Sequence, residues 1–527
     1  MVGAVATFLG QAGAWPSGAE LDLVLRAVDP YAAGREGIRP LGLRAGVPPV
    51  AADVDTAAAL DTESLELARQ VREPRTLLLP VDQRPAVLRR PYMYLDRSYS
   101  ELVRKCVASG LQRLVRKGQV WQHGGRPLVN GAFAVVKDST EDRFISALVQ
   151  TNSLLNAEVL PRPAFAYTPR LRGALTQRGV RVRICKRDAR HYFHRLRIHK
   201  RWHKYLAHPP VDGELYPVHL CAPMGFAPSA GWAQAVTDRA TSLAGLPADR
   251  RIKFTTEVPH CLPVWGSIVD DIWTASQPEH GTEDADPARQ WIEAVDIAWP
   301  ALGVETHPGK KVTHGDAELQ GTTLHPVEHW LGVSASKRLG VLAAVCRLLD
   351  ARVVSVKWVE KIVGKLSYCQ SFASPLRSIL FDTYRWLTFY TQQDVRAAQL
   401  WPEVFGELLA AALLLPMAAT WMDDDWCCRL ECADAAPWGA WSRLDNLPGR
   451  CHQLAQQSHG LHRSAHVAAL ASWSCPSRRR TSTFRPGGLA SWSALGQSGP
   501  TRRLLPHHIR RSRSSNLELG SAVAQDE

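Results

Sequence analysis

Val264-Trp265-Gly266-Ser267-Ile268-Val269-Asp270-Asp271-Ile272-Trp273 is an apolar, strand-like run broken at its tip by two adjacent aspartates. Like charges side by side repel, and each raises the pKa of the other. A hard divalent cation relieves that cost, because it favours carboxylate oxygens. For an isolated Asp-Asp pair the plainer account is a solvated hairpin turn. A third aspartate shifts the balance. Asp188 lies in an equally strand-like setting, Ile184-Cys185-Lys186-Arg187-Asp188-Ala189-Arg190-His191-Tyr192-Phe193. Three carboxylates converging from two strands could hold two metal ions for an in-line phosphoryl displacement.

The chain around these residues has 527 positions, which predicts more than one domain. Its hydrophobic fraction of 45% suffices for real cores. Lys and Arg number 63 against 50 Asp and Glu, a net charge of +13. That excess suits a polyanionic partner such as nucleic acid, or reflects a basic tail. The 11 cysteines are odd in number and scattered, a pattern of reduced thiols that predicts an intracellular location, cytoplasmic or nuclear. Cys427, Cys428 and Cys432 cluster, but no Cys/His pair follows at finger-like spacing, so no zinc site is predicted. The longest apolar run, Leu408 to Leu415, stops at Pro416 and is too short for a membrane span, so no membrane partner is expected. The apolar start from Met1 to Trp15 lacks the basic residues of a secretory signal.

Composition and periodicity divide the chain. Residues 1–75 are rich in Ala, Gly, Pro and Asp and are expected to be loose or accessory. Apolar spacing predicts a helix from Tyr99 to Lys117, and an Asp/Ser/Thr/Glu turn predicts a hairpin joining strands at Gly131–Val136 and Phe144–Val149. Val182 to Ile198 reads as a strand and a helix start. Helices are predicted over Pro228–Leu243 and Pro287–Leu302, with the Asp270 strand pair between them and two short strands before Leu331. The order strand–helix–hairpin–helix–strand is that of a split βαβ unit. From Ser334 onward the chain turns helical, with Ser355 as an N-cap before Val356, Val359, Ile362, Val363 and Leu366, and a further helix over Pro375–Tyr390. After Arg450, Ser, Arg, His and Gly dominate, and residues 451–527 are expected to form a basic disordered tail.

In this order the blocks resemble the reverse transcriptases of retroelements, with wording nearer to DIRS-like and gypsy-like retrotransposon polyproteins than to group II intron enzymes. The resemblance runs from about Gly131 to Leu324 and continues more weakly to about Leu387. It implies an α+β, right-hand polymerase: fingers and a split βαβ (ferredoxin-like) palm over residues 76–330, then a helical thumb or connection over 331–400. The block Phe133 to Asn156 resembles the fingers hairpin, where Lys137 and Arg143 would hold a triphosphate. A lysine supplies a point charge and an arginine a bidentate fork. Two solvated surface cations are the alternative. Asp188-Ala189-Arg190-His191-Tyr192-Phe193 matches the first aspartate motif. There Asp188 would bind both metals, Ala189 would line the nucleotide, and Tyr192 would clash with a ribose 2′-hydroxyl and so favour deoxynucleotides. Phe193 is read as core packing.

Ala222-Pro223-Met224-Gly225-Phe226-Ala227-Pro228-Ser229-Ala230 resembles the turn that leads into the palm helix. Met224 and Gly225 would meet template base and nucleotide, since glycine permits close backbone approach. Ile268-Val269-Asp270-Asp271 fits the family's aspartate hairpin, with Asp270 the better direct metal ligand and Asp271 tuning the field. Leu302 to Lys311 resembles the lysine loop. Lys311 would protonate the leaving pyrophosphate, with Lys310 as the alternative. The run Glu318 to Leu324 resembles the hairpin that grips the primer end, through Leu319, Gln320 and Gly321. Leu430 to Ala440 resembles the opening strand of a ribonuclease H, with Asp434 as its first carboxylate; residues 401–450 then read as a partial, inactive remnant.

The resemblance implies RNA-directed DNA synthesis: a primer extended on an RNA or DNA template from deoxynucleoside triphosphates, with two Mg²⁺ ions, or Mn²⁺ in their place, as cofactors. The alternative is a decayed, catalytically inactive retroelement product that binds nucleic acid without extending it.

Overall fold

The computed structural model describes residues 37–422, apart from 175, 177–179, 255–257, 279–280, 283–284, 316–317 and 352, with the side chains of 374 and 421 also excepted. It further describes the backbone of Arg429–Ala436, Gly439–Asn446 and Leu470–Ala471. The chain divides into two compact units, residues 1–475 and 476–527, and the second lies outside the described residues, as does nearly all of the expected basic tail.

Helix and sheet are mixed throughout. At the centre of the first unit is a four-stranded antiparallel sheet. Its order across the sheet is Val264–Ile268, Asp271–Ser276, Arg183–Asp188, Val312–Gly315. Helices Ser229–Leu243 and Pro287–Ala301 connect the strands, so the chain runs strand–helix–hairpin–helix–strand. Successive residues of a strand point to opposite faces. Cys185, Trp265 and Ile272 therefore share one face and pack with Trp232, Val236, Ile292, Val295 and Trp299 of the two helices. Ile184, Val264, Trp273 and Ala275 share the other and join the core of the C-terminal helices. Gly266 makes room on that face, because a Cβ there would meet the ring of Trp273. This division places Asp188 and Asp271 on the face away from the two connecting helices.

The second core continues through the sheet Glu318–Leu319, Thr322–Leu324, Trp330–Val333 and Ala419–Trp421. Helices Ala335–Leu349, Val356–Gln370, Phe381–Gln392 and Pro402–Leu413 complete it, burying Val345, Leu366, Trp386 and Leu408. Ser355 is the residue before the second of these helices, where an N-cap is expected.

Three segments differ from the sequence expectation. Residues 37–75 are packed rather than loose. Ile38–Arg39 pairs with the Gly131–Val136 strand, and Leu41, Val54, Leu60 and Val71 are fully buried. The helices there, Thr56–Leu60 and Leu65–Arg72, are too short to show a period, and each is capped from outside, by Asp55 and Ser64. Residues 1–36 lie outside the described residues. The helix starting at Tyr99 ends at Ala108, because Gly110 takes a positive φ of 78°. The chain then forms the strand Gln112–Arg116, paired with Leu215–His219. Pro375–Tyr390 is a 3₁₀ turn, Ser374–Leu380, followed by the helix Phe381–Gln392.

Candidate active site

Asp188 ends its strand and is the register partner of Asp271 on the neighbouring strand. Ile268 pairs with Asp271, which leaves Val269 and Asp270 as a two-residue hairpin turn. The turn is strained: Val269 has φ +50°, an unusual value for a β-branched residue. Helix Ser229–Leu243 holds it in place. The Gln234 side chain accepts from the Val269 N–H at 2.8 Å, and the Thr237 hydroxyl donates to the Val269 carbonyl. The Ala189 N–H donates to the Asp270 carbonyl at 2.8 Å, tying the two aspartate motifs together through the backbone.

The three carboxylates feel one another. Burial, then the charges of Asp188 and Asp271, push Asp270 up to about 6. Burial also pushes Asp271 up, although the Lys186 ammonium 3.1 Å from its Oδ2 pulls the other way. Asp271 Oδ1 is buried without a hydrogen-bond partner. Lys310 Nζ lies 2.9 Å from Asp188 Oδ2. Two lysines thus neutralise two of the three carboxylates. Among the described residues no three His, Cys, Asp or Glu side chains are grouped so as to hold a metal ion. The donor chemistry is nevertheless that of a hard-cation site: carboxylate oxygens, one of them orphaned, in an acidic turn whose charge is costly.

The loop lysines divide. Lys310 meets Asp188, whereas Lys311, the preferred candidate from sequence, lies 2.7 Å from Asp296 on helix Pro287–Ala301. Asp296 already takes a two-pronged contact from Arg187, Nε to Oδ1 at 2.8 Å and Nη2 to Oδ2 at 2.9 Å. Burial alone would raise Asp296; its bonds to Arg187 and Lys311 outweigh that and lower its pKa. Arg187 is fully buried and also donates to the Val312 carbonyl at 2.7 Å, joining two strands and a helix directly beside Asp188. Strand parity alone could have found it, since an arginine one residue before Asp188 must face the helices.

Tyr192 is in the core rather than on an open face. It is 2% exposed, and its hydroxyl lies 2.8 Å from Thr237 Oγ1 and 3.1 Å from the Ala233 carbonyl. It thereby supports the threonine that holds Val269. Phe193 is the half-buried ring of the pair. The sequence expectation is the reverse, Tyr192 as the ring against the sugar and Phe193 in the core; Tyr192 is buried instead, after a left-handed turn at His191 with φ +51°. Ala189 is buried and bridges to Thr306.

Met224 and Gly225 form a turn against the Asp142–Ala147 strand. The Ser146 N–H donates to the Met224 carbonyl at 3.1 Å. Gly225 has φ +104°, and a Cβ there would collide with the Ser146 carbonyl. Asn152, which sequence reasoning passed over, grips this turn with both ends of its amide. Its Nδ2 donates to the Gly225 carbonyl at 2.8 Å and its Oδ1 accepts from the Ala227 N–H at 3.0 Å. Lys137 and Arg143 are exposed on the paired strands' hairpin, with Lys137 ion-paired to Glu141. Farther along, Gln320 and Gly321 both have positive φ in the Glu318–Leu324 hairpin, Leu319 is fully buried, and the Gln320 carbonyl accepts from Tyr368 at 3.0 Å. Asp434 falls in the strand Arg429–Ala436, opposite Trp441; its side chain lies outside the described residues, as do Cys427 and Cys428.

No family model matches the chain, and no curated protein matches it. Among solved structures it is similar to the foamy viral protease-reverse transcriptase dRH in complex with ds DNA. That match has 14% identity and a TM-score of 0.45, over 76% of this chain and 68% of the other. A second is the foamy viral protease-reverse transcriptase in complex with dsDNA, at 13% identity and a TM-score of 0.43, over 75% and 78%. Likeness at these values does not carry the chemistry or the partners of those proteins to this chain.

Proposed function

We propose that the chain is a template-directed nucleotidyl transferase of the reverse transcriptase type, extending a primer with deoxynucleotides. The observation that supports the reading is the register pairing of Asp188 with Asp271 at one sheet end, with Asp270 in the adjoining turn and pushed up to about 6 by burial and by the other two. Paired acids with a perturbed pKa beside a turn held in strain mark a functional site. In this reading the four-stranded sheet is the palm, the Gly131–Ala147 hairpin belongs to the fingers, and the helices after Ser334 form the thumb.

Asp188, Asp270 and Asp271 would hold Mg²⁺ ions, with Lys310 and Lys186 moving aside. Such a pair of ions supplies Lewis-acid stabilisation of phosphoryl oxygens and lowers the pKa of the attacking hydroxyl. The chain's own residues do the rest. Lys310 is the cation nearest the acids and the better proton donor to a leaving pyrophosphate. Lys137 and Arg143, exposed on the same hairpin, would bind triphosphate oxygens. Gly225 lets the turn that would meet base and sugar pack against the Ser146 carbonyl. Phe193, rather than the buried Tyr192, is the ring available to exclude a 2′-hydroxyl. The test is extension of a primed RNA template with Mg²⁺: wild-type protein should extend it, and Asp270→Asn should bind it and extend nothing. A wild-type protein that binds the primed template yet extends nothing, where a control enzyme does, refutes the proposal.

One observation favours a second reading, an inactive product that binds nucleic acid. Lysines rather than open space stand against two of the three acids, and no three-acid group is arranged to take a metal among the described residues. Metal-independent binding without extension would identify it.

A further inference from the structure

Three stretches of the chain carry no Asp or Glu at all: residues 83–95, 102–137 and 189–211. They are far apart in sequence and knitted together in space. Strand Gln112–Arg116 pairs with Leu215–His219, just beyond the third stretch. The Trp121 N–H donates to the Lys204 carbonyl at 2.9 Å, and the Asn130 N–H to the Ala207 carbonyl at 2.9 Å. The His123 ring lies 2.8 Å from the Pro85 carbonyl. Arg84 and Lys204 both stand over the Trp121 ring, at 5.7 Å and 4.9 Å.

The cations of these stretches reach one another. Burial, then Arg113, lower His203 to about 4, while the hydrogen bond to the Ile198 carbonyl opposes the shift. Burial, then Arg201, Lys200 and Arg72, lower His199 against the single nearby acid, Asp55. The acids at the margin are already engaged: Asp55 by Arg197, Asp61 by Arg72 and Glu73 by Arg201. Arg113, Lys200 and Lys204 are exposed and have no ion pair among the described residues. Lys200 also lines a cavity of about 520 Å³, together with Asp55, Arg72, Arg197, His199 and His203. A face of uncompensated cations next to a concavity suits a polyanion.

We propose that this face is a second nucleic-acid surface, which takes the sugar–phosphate backbone of a strand independently of sequence and of metal. It rests on the function proposed above only for the identity of the polyanion, since the charge and the packing stand without it.

The test is binding of an oligothymidylate of about thirty nucleotides, followed by fluorescence anisotropy in EDTA across a salt series. The full chain is compared with the triple variant Arg113→Ala, Lys200→Ala, Lys204→Ala. Each phosphate contact contributes about 0.7 to the salt slope for a single strand, so the triple variant should lose about 2 from the slope and at least about tenfold in affinity at low salt. All three substitutions are on exposed side chains; should the triple variant be unfolded by circular dichroism, Lys200→Ala alone is read, with a slope loss of about 0.7. An unchanged slope in the folded variant overturns the inference, as does a wild-type protein that does not bind in EDTA. Polyglutamate competing as strongly as oligothymidylate overturns the assignment to nucleic acid. Absence of primer extension by the wild type with this binding intact removes the polymerase reading and leaves the surface standing.

Discussion

Lys310 Nζ sits 2.9 Å from Asp188 Oδ2, while its neighbour Lys311 turns away to Asp296. The two lysines are adjacent in sequence, so their separation is made by the 3₁₀ turn Pro308–Lys310 that precedes the strand Val312–Gly315. One cation serves the acidic centre and the other serves the sheet–helix joint. Lys310→Met should therefore lower single-turnover extension by about 10²-fold or more, the range expected for loss of a general acid. Lys311→Met should leave the chemical step within a few-fold of wild type. The opposite ranking in rapid-quench measurements would restore Lys311 as the proton donor.

Asp270 gives a pH signature that needs no substrate. Its pKa rises from 3.8 to about 6 in the folded chain. Between those values the native state binds more protons than the unfolded state, so stability falls as pH rises through that window. Above about pH 6 the full cost of the buried charge is present; below about pH 4 it is gone. Asp270→Asn removes a charge that costs stability at neutral pH. In EDTA it should melt about 1–3 °C above wild type at pH 7, and the gain should fade on acidification toward pH 4. A constant difference across that range in scanning calorimetry would show that the acid is not perturbed.

Much of this geometry was readable from residue patterns, and the unread part has a common cause. The Asp270 strand pair, the Pro287 helix and the Ser355 helix start follow from periods of two and 3.6 residues, and they lie within a residue or so of the expected bounds. The strand-like setting of Asp188 is legible in the sequence, and its pairing with Asp271 follows once the sheet forms. Orientation was not readable. Whether Tyr192 or Phe193 points inward depends on one left-handed residue, His191. Lys310 and Lys311 differ only through a local turn. The packed segment at 37–75 is held by long-range partners, such as Ala134 opposite Arg39, that no local pattern encodes.

The two aromatic residues after Asp188 can be separated by experiment. Tyr192→Phe deletes a hydroxyl bonded to Thr237 and Ala233 and should cost about 1 kcal/mol of stability, with a slower or less well-aligned Asp270 turn. It should not change the ratio of deoxynucleotide to ribonucleotide incorporation. Phe193→Val should raise ribonucleotide use by about tenfold or more if that ring excludes the 2′-hydroxyl. Steady-state incorporation with each nucleotide type reads both effects, and a ratio that moves only with Tyr192 would reverse the assignment.

Asn152 is predicted to act through the turn it holds. Asn152→Ala removes both the donor to Gly225 and the acceptor for Ala227. Hydrogen exchange of the Ala227 amide should rise about fivefold, reflecting a lost bond worth about 1 kcal/mol, with exchange elsewhere little changed. KM for the nucleotide should rise more than kcat falls, and binding of primed template should be unchanged. Asn152→Asp keeps the acceptor and should restore protection at Ala227 alone. Uniform loosening of the whole chain would mean that Asn152 is structural and not specific to the turn.

Arg187 carries the strongest structural demand beside the acids. It is fully buried, binds Asp296 with two donors and reaches the Val312 carbonyl with a third. Removing one partner of such a pair leaves the other charge uncompensated, so Arg187→Met should cost about 3–5 kcal/mol in denaturant unfolding. Lys311 remains on Asp296 and limits the loss. The double variant Arg187→Met, Asp296→Leu exchanges the pair for apolar volume and should recover a large part of it. Such recovery in stability without recovery of extension would separate the two duties of this strand: its burial of Arg187 holds the sheet together, and its exact carriage of Asp188 serves the reaction. Failure of the double variant to recover stability would instead show that the hydrogen bond to Val312, and not the ion pair, is what the fold requires from Arg187.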